Sequence, residues 1–582
     1  MFHFHKRRRR KRVEDRPPAA HSRAERFLLR TDSFPSSEFI SQVEDFQRAM
    51  SPAPRLVVLL LAARIAASQT FTDAGKDFRV IFPENIAYYH PLDAQNKIWV
   101  TALYDDTSVT MSPASSEPKQ LNAGRTISFD VTQELGKLAI NEAKVSDLFT
   151  VFNISDKTVR ITSTKDIVIQ AVSSRGRSVQ SALVIPTTKL SSKYFVPPVP
   201  ETEGATSGGD PMVNVTERAP FRLIIVNPDE PKASVTIKGR EEIPISIEPG
   251  KAAQIWVRND STTQYVEADK GVAVYFSHPC AVQRQCTCGL LHAVLPPAKN
   301  TTMRFPIPPF LGKPASIMQS DDSTRGWVNS SSPLVKSAGT AIVYWPRLLL
   351  TLVPVEEFAS CFMVQFIEDK KNVLIIVVHK DHKQGIHVGN DPLEGAGWQE
   401  LQGTDYVSTN HSISSTTVVW HTSANMTVYH MVQQNNTWFG NPAPVVSANP
   451  DFRGCVLTPE VTMILHEAGS WQESIRSCED QNLSLISLPS EALQKQTCRN
   501  LRGNDAKQVW IGTRRSSLTG DWYWLNRNGF NDTNWARSEP GDVSEGQCAV
   551  MSLEGDCGWK DRNCCEDARP LCYADPQLLQ II

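Results

Sequence analysis

The sequence predicts a multidomain chain in which tandem all-β modules precede a smaller α+β unit. Sandwiches are the first expectation for the modules and a propeller-like arrangement the second. Three observations carry this. Short β-branched and aromatic runs bounded by Asp, Asn, Gly and Pro follow one another from about residue 76 to 430, among them KIWVTALY from Lys97, FRLIIVN from Phe221, GVAVYFSH from Gly271 and NVLIIVVHK from Asn372. Several of these runs recur as similar units. After residue 451 the chain becomes rich in Cys and Trp and acquires helix-capping signals. At 582 residues, 41 % apolar and 21 % charged, the composition is that of folded globular domains.

In chain order, residues 1–49 hold 12 Lys/Arg against 7 Asp/Glu, leaving 48 against 55 in the remainder. The run KRRRRKR from Lys6 would by itself suggest a nucleic-acid arm. The stretch MSPAPRLVVLLLAARIAASQ from Met50 argues otherwise: one basic residue at Arg55, an apolar run over 56–63, then small residues at Ala66, Ala67 and Ser68 form a secretory signal, 50–68, with cleavage before Gln69. Residues 1–49 are then an upstream extension, with a basic arm ahead of an anchor as the other reading. The apolar run is too short to span a bilayer, and the later AIVYWPRLLLTLVPV from Ala341 is broken by Pro346 and Arg347, so no membrane span is expected. Secretion also accounts for ten glycosylation sequons, at Asn153, Asn214, Asn259, Asn300, Asn329, Asn410, Asn425, Asn435, Asn482 and Asn531. The twelve cysteines fall as four over 280–361 and eight over 455–572, which predicts disulfides that close within domains.

The β region divides into modules at 69–200, 201–310 and 311–440. ITSTKDIVIQAV from Ile161, VEADKGVAVYFS from Val266 and VWHTSANMTVYH from Val419 each place a short polar turn before an apolar strand. KIWVTALYDDTSVTM near residue 97 likewise parallels FRLIIVNPDEPKASVTI near residue 221. Residues 197–211, rich in Pro and Gly, connect the first two modules, and 441–454 reads as a Pro/Asn-rich linker. The strand at 98–111, the SHPC segment ending at Cys280, CGLLHAVLPP from Cys288, and CFMVQ with VVHKDH between Cys361 and His382 resemble the N-terminal domain of the IgG-Fc-binding protein family, over about 75–440. The resemblance implies extracellular recognition, as in mucus. No residue here is identified with Fc contact, so Fc binding is not carried over.

In the last unit, 455–573, Ser470 and Glu473 form a capping box, and Trp471, Ile475 and Cys478 share one helix face. Ser490 caps a second helix through Leu493 and Leu501, and strands carrying VWIG and DWYWL follow; 574–582 is a tail. WQESIRSC, WIG, WYW, EPG, GWKDRNC and RPLC resemble, in order and spacing, a C-type lectin-like domain. The resemblance implies disulfides Cys478–Cys572 and Cys548–Cys564. Cys455, Cys498, Cys557 and Cys565 could form two more bonds, and the pairing of Cys280, Cys286, Cys288 and Cys361 is equally open.

The resemblance also implies where calcium and sugar would sit: a Glu-Pro-Asn loop, a later acidic residue, and an Asn-Asp pair after a Trp. Here those positions read Glu539, Pro540, Gly541 and Lys560, Asp561, and the nearest later carboxylate is Glu545. Calcium takes six to eight oxygens. Gly541 has no side-chain oxygen to give, and the Lys560 ammonium donates but cannot accept. Glu539, Glu545 and Asp561 are therefore a remnant calcium set, and calcium-dependent sugar binding is expected to be weak or lost. Two finer readings follow: Lys560 takes the cation's place between Glu539 and Asp561, or points into water. Asp542, Glu545 and Glu554 are the residues that would build a displaced calcium site. Trp510, Trp522, Trp524 and Trp559 read as core, whereas Trp535 beside the loop is a candidate surface contact.

His278, Cys280, Cys286, Cys288 and His292 have the ligand types of a zinc site, but in an oxidising compartment disulfides are the expected outcome. His379, Asp381, His382 and His387 read as a strand end and polar turn. No nucleophile or acid/base arrangement, phosphate loop or dinucleotide fingerprint stands out, so no enzyme is expected. The reading is of a secreted protein that recognises glycans or glycoproteins, with no nucleic-acid partner and no membrane span. A calcium-independent protein-binding module and a structural component of an extracellular gel are the alternatives.

Overall fold

The computed structural model describes residues 72–85, 93–113, 117–132, 137–138, 153–176, 178–200, 221–240, 242–257, 264–283, 287–309, 316–321, 325–329, 332–345, 348–434, 437–542, 544 and 546–579. The proposed signal and basic extension lie outside them. The described residues belong to one compact unit. They are mostly strand, with two α-helices, both in the C-terminal domain.

Strand pairing shows one module repeated. In the first copy the long strand Val159–Arg175 is bent. Its first part pairs with Gly75–Val80 and Thr107–Ser112, and its second part with Gln95–Ala102 and Ser178–Val184. In the second copy Tyr265–Gln283 does the same, first with Ser191–Phe195 and Ala233–Lys238, then with Arg222–Val226 and Thr287–Val294. In the last copy the bend becomes a break. Thr417–His421 pairs with Cys361–Val364 and Ile386–Val388, then Met426–Gln434 pairs with Lys371–His379 and Thr437–Pro442. The polar turns in the three repeated sequence stretches mark these bends.

A shortened copy precedes the last one. Leu334–Ser337 pairs with Met303–Pro306, and Thr340–Trp345 pairs with Ser316–Ser320 and Leu348–Thr351. The expected third module, 311–440, is therefore two copies. The expected boundaries also shift: Ser191–Phe195, assigned by sequence to the first module, is an integral strand of the second. The 441–454 segment is not a free connection, because Val445–Ser447 pairs with Cys361–Val364.

The final strand of each copy is paired within its sheet on one side only. Those four strands meet: Ser178–Val184 packs on Thr287–Val294, that strand on Leu348–Thr351, that on Thr437–Pro442, and the last returns to the first. Polar side chains tie the copies across these seams. Gln180 Nε2 donates to His292 O (3.3 Å), Thr351 Oγ1 to Val294 O (3.0 Å), and the Val353 amide to Tyr429 Oη (3.0 Å). Ser181 Oγ and Gln170 Nε2 (3.1 Å) both donate to Asn441 Oδ1, closing first copy onto last.

The C-terminal domain docks on that closing seam. Ala74, Leu103 and Val168 of the first copy, Met363 and Val418 of the last, and Cys455 and Leu579 of the C-terminal domain form one buried cluster. A disulfide joins Cys361 to Cys455. This corrects the expectation that disulfides stay within domains. Arg453 donates to both Asp451 oxygens (2.8 and 2.6 Å), to Tyr573 Oη (2.7 Å) and to Glu460, fixing the entry of the chain into the domain. Within the domain Cys478–Cys572 and Cys548–Cys564 form as the resemblance implied, together with Cys498–Cys557, while Cys565 is a free, exposed thiol. Cys280 is disulfide-bonded. The side chains of Cys286 and Cys288 lie outside the described residues.

Replacing Cys361 and Cys455 together by serine removes a constraint over a sequence separation of 94 residues. Urea unfolding followed by tryptophan fluorescence should show a loss of about 2–4 kcal/mol, with the C-terminal domain becoming more protease-sensitive at 441–454.

Candidate functional site

The first helix of the C-terminal domain, Trp471–Glu479, opens with the predicted capping box, and Trp471, Ser474 and Cys478 are buried. The second helix, Glu491–Leu501, is capped by Ser490. Gln508–Arg515 lies at the centre of the sheet, between Cys548–Ser552 and Arg569–Ala574, and pairs with Trp522–Trp524. The glycine of the WIG motif has a local cause: a Cβ on Gly512 would stand 2.7 Å from Leu485 O. Trp510, Trp524 and Trp559 are fully buried, as expected of core residues.

The Trp559–Arg562 strand pairs with Cys548–Ser552 and positions the candidate site. Successive residues on a strand face opposite ways. Asp561 faces inward, 3 % exposed, while Lys560 is half-buried on the other face and forms no ion pair with Glu539 or Asp561 among the described residues. That excludes the reading in which Lys560 stands between the two carboxylates. The Glu539–Pro540 bond is cis, and the Gly541 amide donates to Asp561 Oδ1 (3.0 Å). Asp561 Oδ2 is buried with no nitrogen or hydroxyl donor among the described residues, and the Glu539 carboxyl group lies within hydrogen-bonding reach of Asp561. Burial and the neighbouring Asp561 carboxylate hold the Glu539 carboxyl above its ordinary range.

Asp542 and Glu554 are exposed, and Glu545 lies outside the described residues. Trp535 is half-buried, with its ring 4.7 Å from that of Trp522 and 5.7 Å from that of Trp559, so it packs with the core aromatics. Among the described residues no group of three His, Cys, Asp or Glu is arranged to hold a metal. The calcium implied by the domain family is not matched by what is present: two carboxylates, one already engaged by an amide donor, and no asparagine oxygens. Elsewhere, Cys280 is oxidised and its amide donates to His278 Nδ1 (3.1 Å), which removes the zinc reading.

Sequence reasoning missed the hairpin between Arg515 and Trp522. Ser516 Oγ accepts from the Leu518 and Thr519 amides (both 3.2 Å), and Leu518 stands 97 % exposed; Tyr523 and Leu525 on the returning strand segment are exposed as well. A leucine between two serines and a threonine carries no periodic signal. The sequon residues Asn300, Asn410, Asn425, Asn482 and Asn531 are all exposed.

Comparison with known proteins agrees with the two resemblances and their order. Residues 180–347 match the family model described as IgGFc binding protein, and residues 467–574 match the lectin C-type domain. Over 95 residues the chain is 30 % identical to C-type mannose receptor 2 of Homo sapiens, covering 16 % of this chain and 6 % of that protein. It is 28 % identical over 125 residues to the secretory phospholipase A2 receptor of Homo sapiens, covering 21 % and 8 %. It is 29 % identical over 119 residues to the C-type lectin lectoxin-Lio1 of Erythrolamprus poecilogyrus, covering 20 % and 73 %. The chain thus spans only a small part of the two receptors. Among solved structures, a mouse scavenger receptor C-type lectin carbohydrate-recognition domain is matched at 22 % identity and a TM-score of 0.19, covering 21 % of this chain and 91 % of that one. The chain carries an IgGFc-binding-type segment followed by a C-type lectin domain.

Asp561→Asn removes one of two adjacent carboxylates and supplies a donor to Glu539. A group whose folded pKa is raised favours the folded state at low pH and disfavours it as pH rises. Thermal unfolding at pH 7.5 should therefore show the variant more stable than the wild type, with the gain shrinking as pH falls and Glu539 takes up its proton.

Proposed function

We propose that this chain is a secreted, glycosylated extracellular recognition protein whose C-type lectin domain binds glycoproteins without the calcium used by sugar-binding relatives. The observation that carries the calcium-independent part is the Glu539–Asp561 pair. The Gly541 amide occupies Asp561 Oδ1, and neither Gly541 nor Lys560 offers a side-chain oxygen, so the ligand set of the loop falls short of a calcium shell. Recognition of glycans or proteins is the role the lectin domain supports.

Secretion is supported by the 50–68 segment, the oxidised cysteines and the exposed sequon asparagines. No helix among the described residues is long and apolar enough to cross a membrane. The ring of inner strand edges is best described as a four-part, propeller-like closure of sandwich-like copies, serving as the scaffold that holds the lectin domain at one seam. The exposed Leu518, Tyr523 and Leu525 favour one second reading, a protein surface as the ligand, because a rigid turn presents apolar side chains to solvent.

Calcium titration of the full chain by calorimetry should give no saturable heat. A glycan and glycoprotein array read with and without chelator should give the same signals. Chelator-sensitive glycan binding would overturn the calcium-independent reading. Binding lost in Leu518→Asp but untouched by deglycosylating the targets would favour the protein surface.

A further inference from the structure

The four inner strands line a partly open cavity of about 130 Å³ at the centre of the ring. Each strand contributes to its wall, through Ala182 and Leu183, Ala293, Leu349, and Pro442, and Phe362 joins them. An engineered apolar cavity of roughly 150 Å³ accepts benzene, so the space suits a guest of a few to about ten heavy atoms.

The charged groups at the cavity balance one another. Lys299 pairs with Glu357, and Lys189 donates its ammonium hydrogens to the Thr72 carbonyl and hydroxyl oxygens. His292 is neutral, since burial pushes it down to about 3. The fourth charged group is Asp73, 5 % exposed. Its Oδ2 accepts from the Val445 amide (2.7 Å), and its own amide donates to Val445 O (2.8 Å). No hydrogen bond reaches its Oδ1 among the described residues; two other lining groups, His292 Nδ1 and Thr427 Oγ1, are buried without a partner, and replacing Asp73 separates their contribution from its own. Burial pushes this carboxyl up to about 6, against the opposing pull of the Val445 amide and the Lys189 ammonium.

We propose that the axial cavity is a binding site for a small, uncharged, mostly apolar molecule bearing one hydroxyl group, a phenol or short-chain alcohol, whose hydroxyl donates to Asp73 Oδ1. The apolar walls take the body of the guest, and the free carboxylate oxygen takes its single donor. Two lysines already balance two carboxylates, so a charged guest would leave an unmatched charge in a largely apolar space. The site is independent of the lectin domain's loop and does not rest on the function proposed above.

The test uses the full chain and four probes of similar size: p-cresol, toluene, benzylamine and benzoate, each titrated by calorimetry and by ligand-observed NMR. The expected result is saturable p-cresol binding about tenfold tighter than toluene, as one hydrogen bond to a charged group would give, with neither charged probe binding as well. Asp73→Asn keeps an acceptor for the Val445 amide and should bring p-cresol down to the level of toluene. Ala293→Phe should abolish binding of both; should that variant not fold, the Asp73→Asn comparison decides alone. Equal p-cresol and toluene affinity, a preference that survives Asp73→Asn, tighter binding of benzylamine or benzoate, or no binding at millimolar concentration would each overturn the proposal.

Discussion

The closure of four strand edges around one axis is the constraint on which the rest of the molecule depends. Each copy ends on a strand paired on one side only, and an open edge presents unpaired amides and carbonyls. Left exposed, four such edges would template association. In the ring each inner strand instead packs on its neighbours, and side chains such as Gln180, Asn441 and Thr351 tie neighbouring copies together. A single copy could not bury its own edge, which is a physical reason for repetition and for closure. The shortened copy keeps its inner strand, Leu348–Thr351, which packs on the inner strands of both neighbours.

Closure has a second consequence, since the first and last copies of a ring must meet although they are far apart in sequence. That seam is the least covalently supported in the β region, and here it is sealed by several devices at once. Gln365 Nε2 donates to Thr101 Oγ1 (2.7 Å), Asp73 exchanges two hydrogen bonds with Val445, and the lectin domain's Cys455 and Leu579 pack into the shared cluster. The Cys361–Cys455 disulfide then fixes the lectin domain against the seam. The domain is thereby part of the closure and not a module on a tether, and its candidate loop is held in a fixed orientation to the scaffold.

Much of this was legible in the sequence, and what was not has identifiable causes. The repeats at Ile161, Val266 and Val419 could be read because a bend needs a polar turn before an apolar strand, and that pattern survives divergence. The shortened copy was missed because SAGTAIVYW, beginning at Ser337, lacks the flanking strands that made the others recognisable. The lectin helices were legible through Ser470, Glu473 and Ser490, whose capping chemistry is local. The partner of Cys455 was not, because pairing depends on which elements meet in space. Trp535, a candidate surface contact from its place beside the loop, is half-buried with its ring against Trp522 and Trp559, a contact that its sequence neighbours do not signal.

The same cluster ties the candidate loop to its strand. Here the tie is made from the protein's own groups. Trp535 forms a β-bridge with Trp559, the Trp559 amide donates to Asn534 O (2.7 Å), and the Gly541 amide reaches Asp561 Oδ1. These contacts connect the loop to the Trp559–Arg562 strand on both sides of the cis Glu539–Pro540 bond. The glycine at 541 has a structural consequence of its own: without a side chain in the way, its amide closes directly on the Asp561 carboxylate.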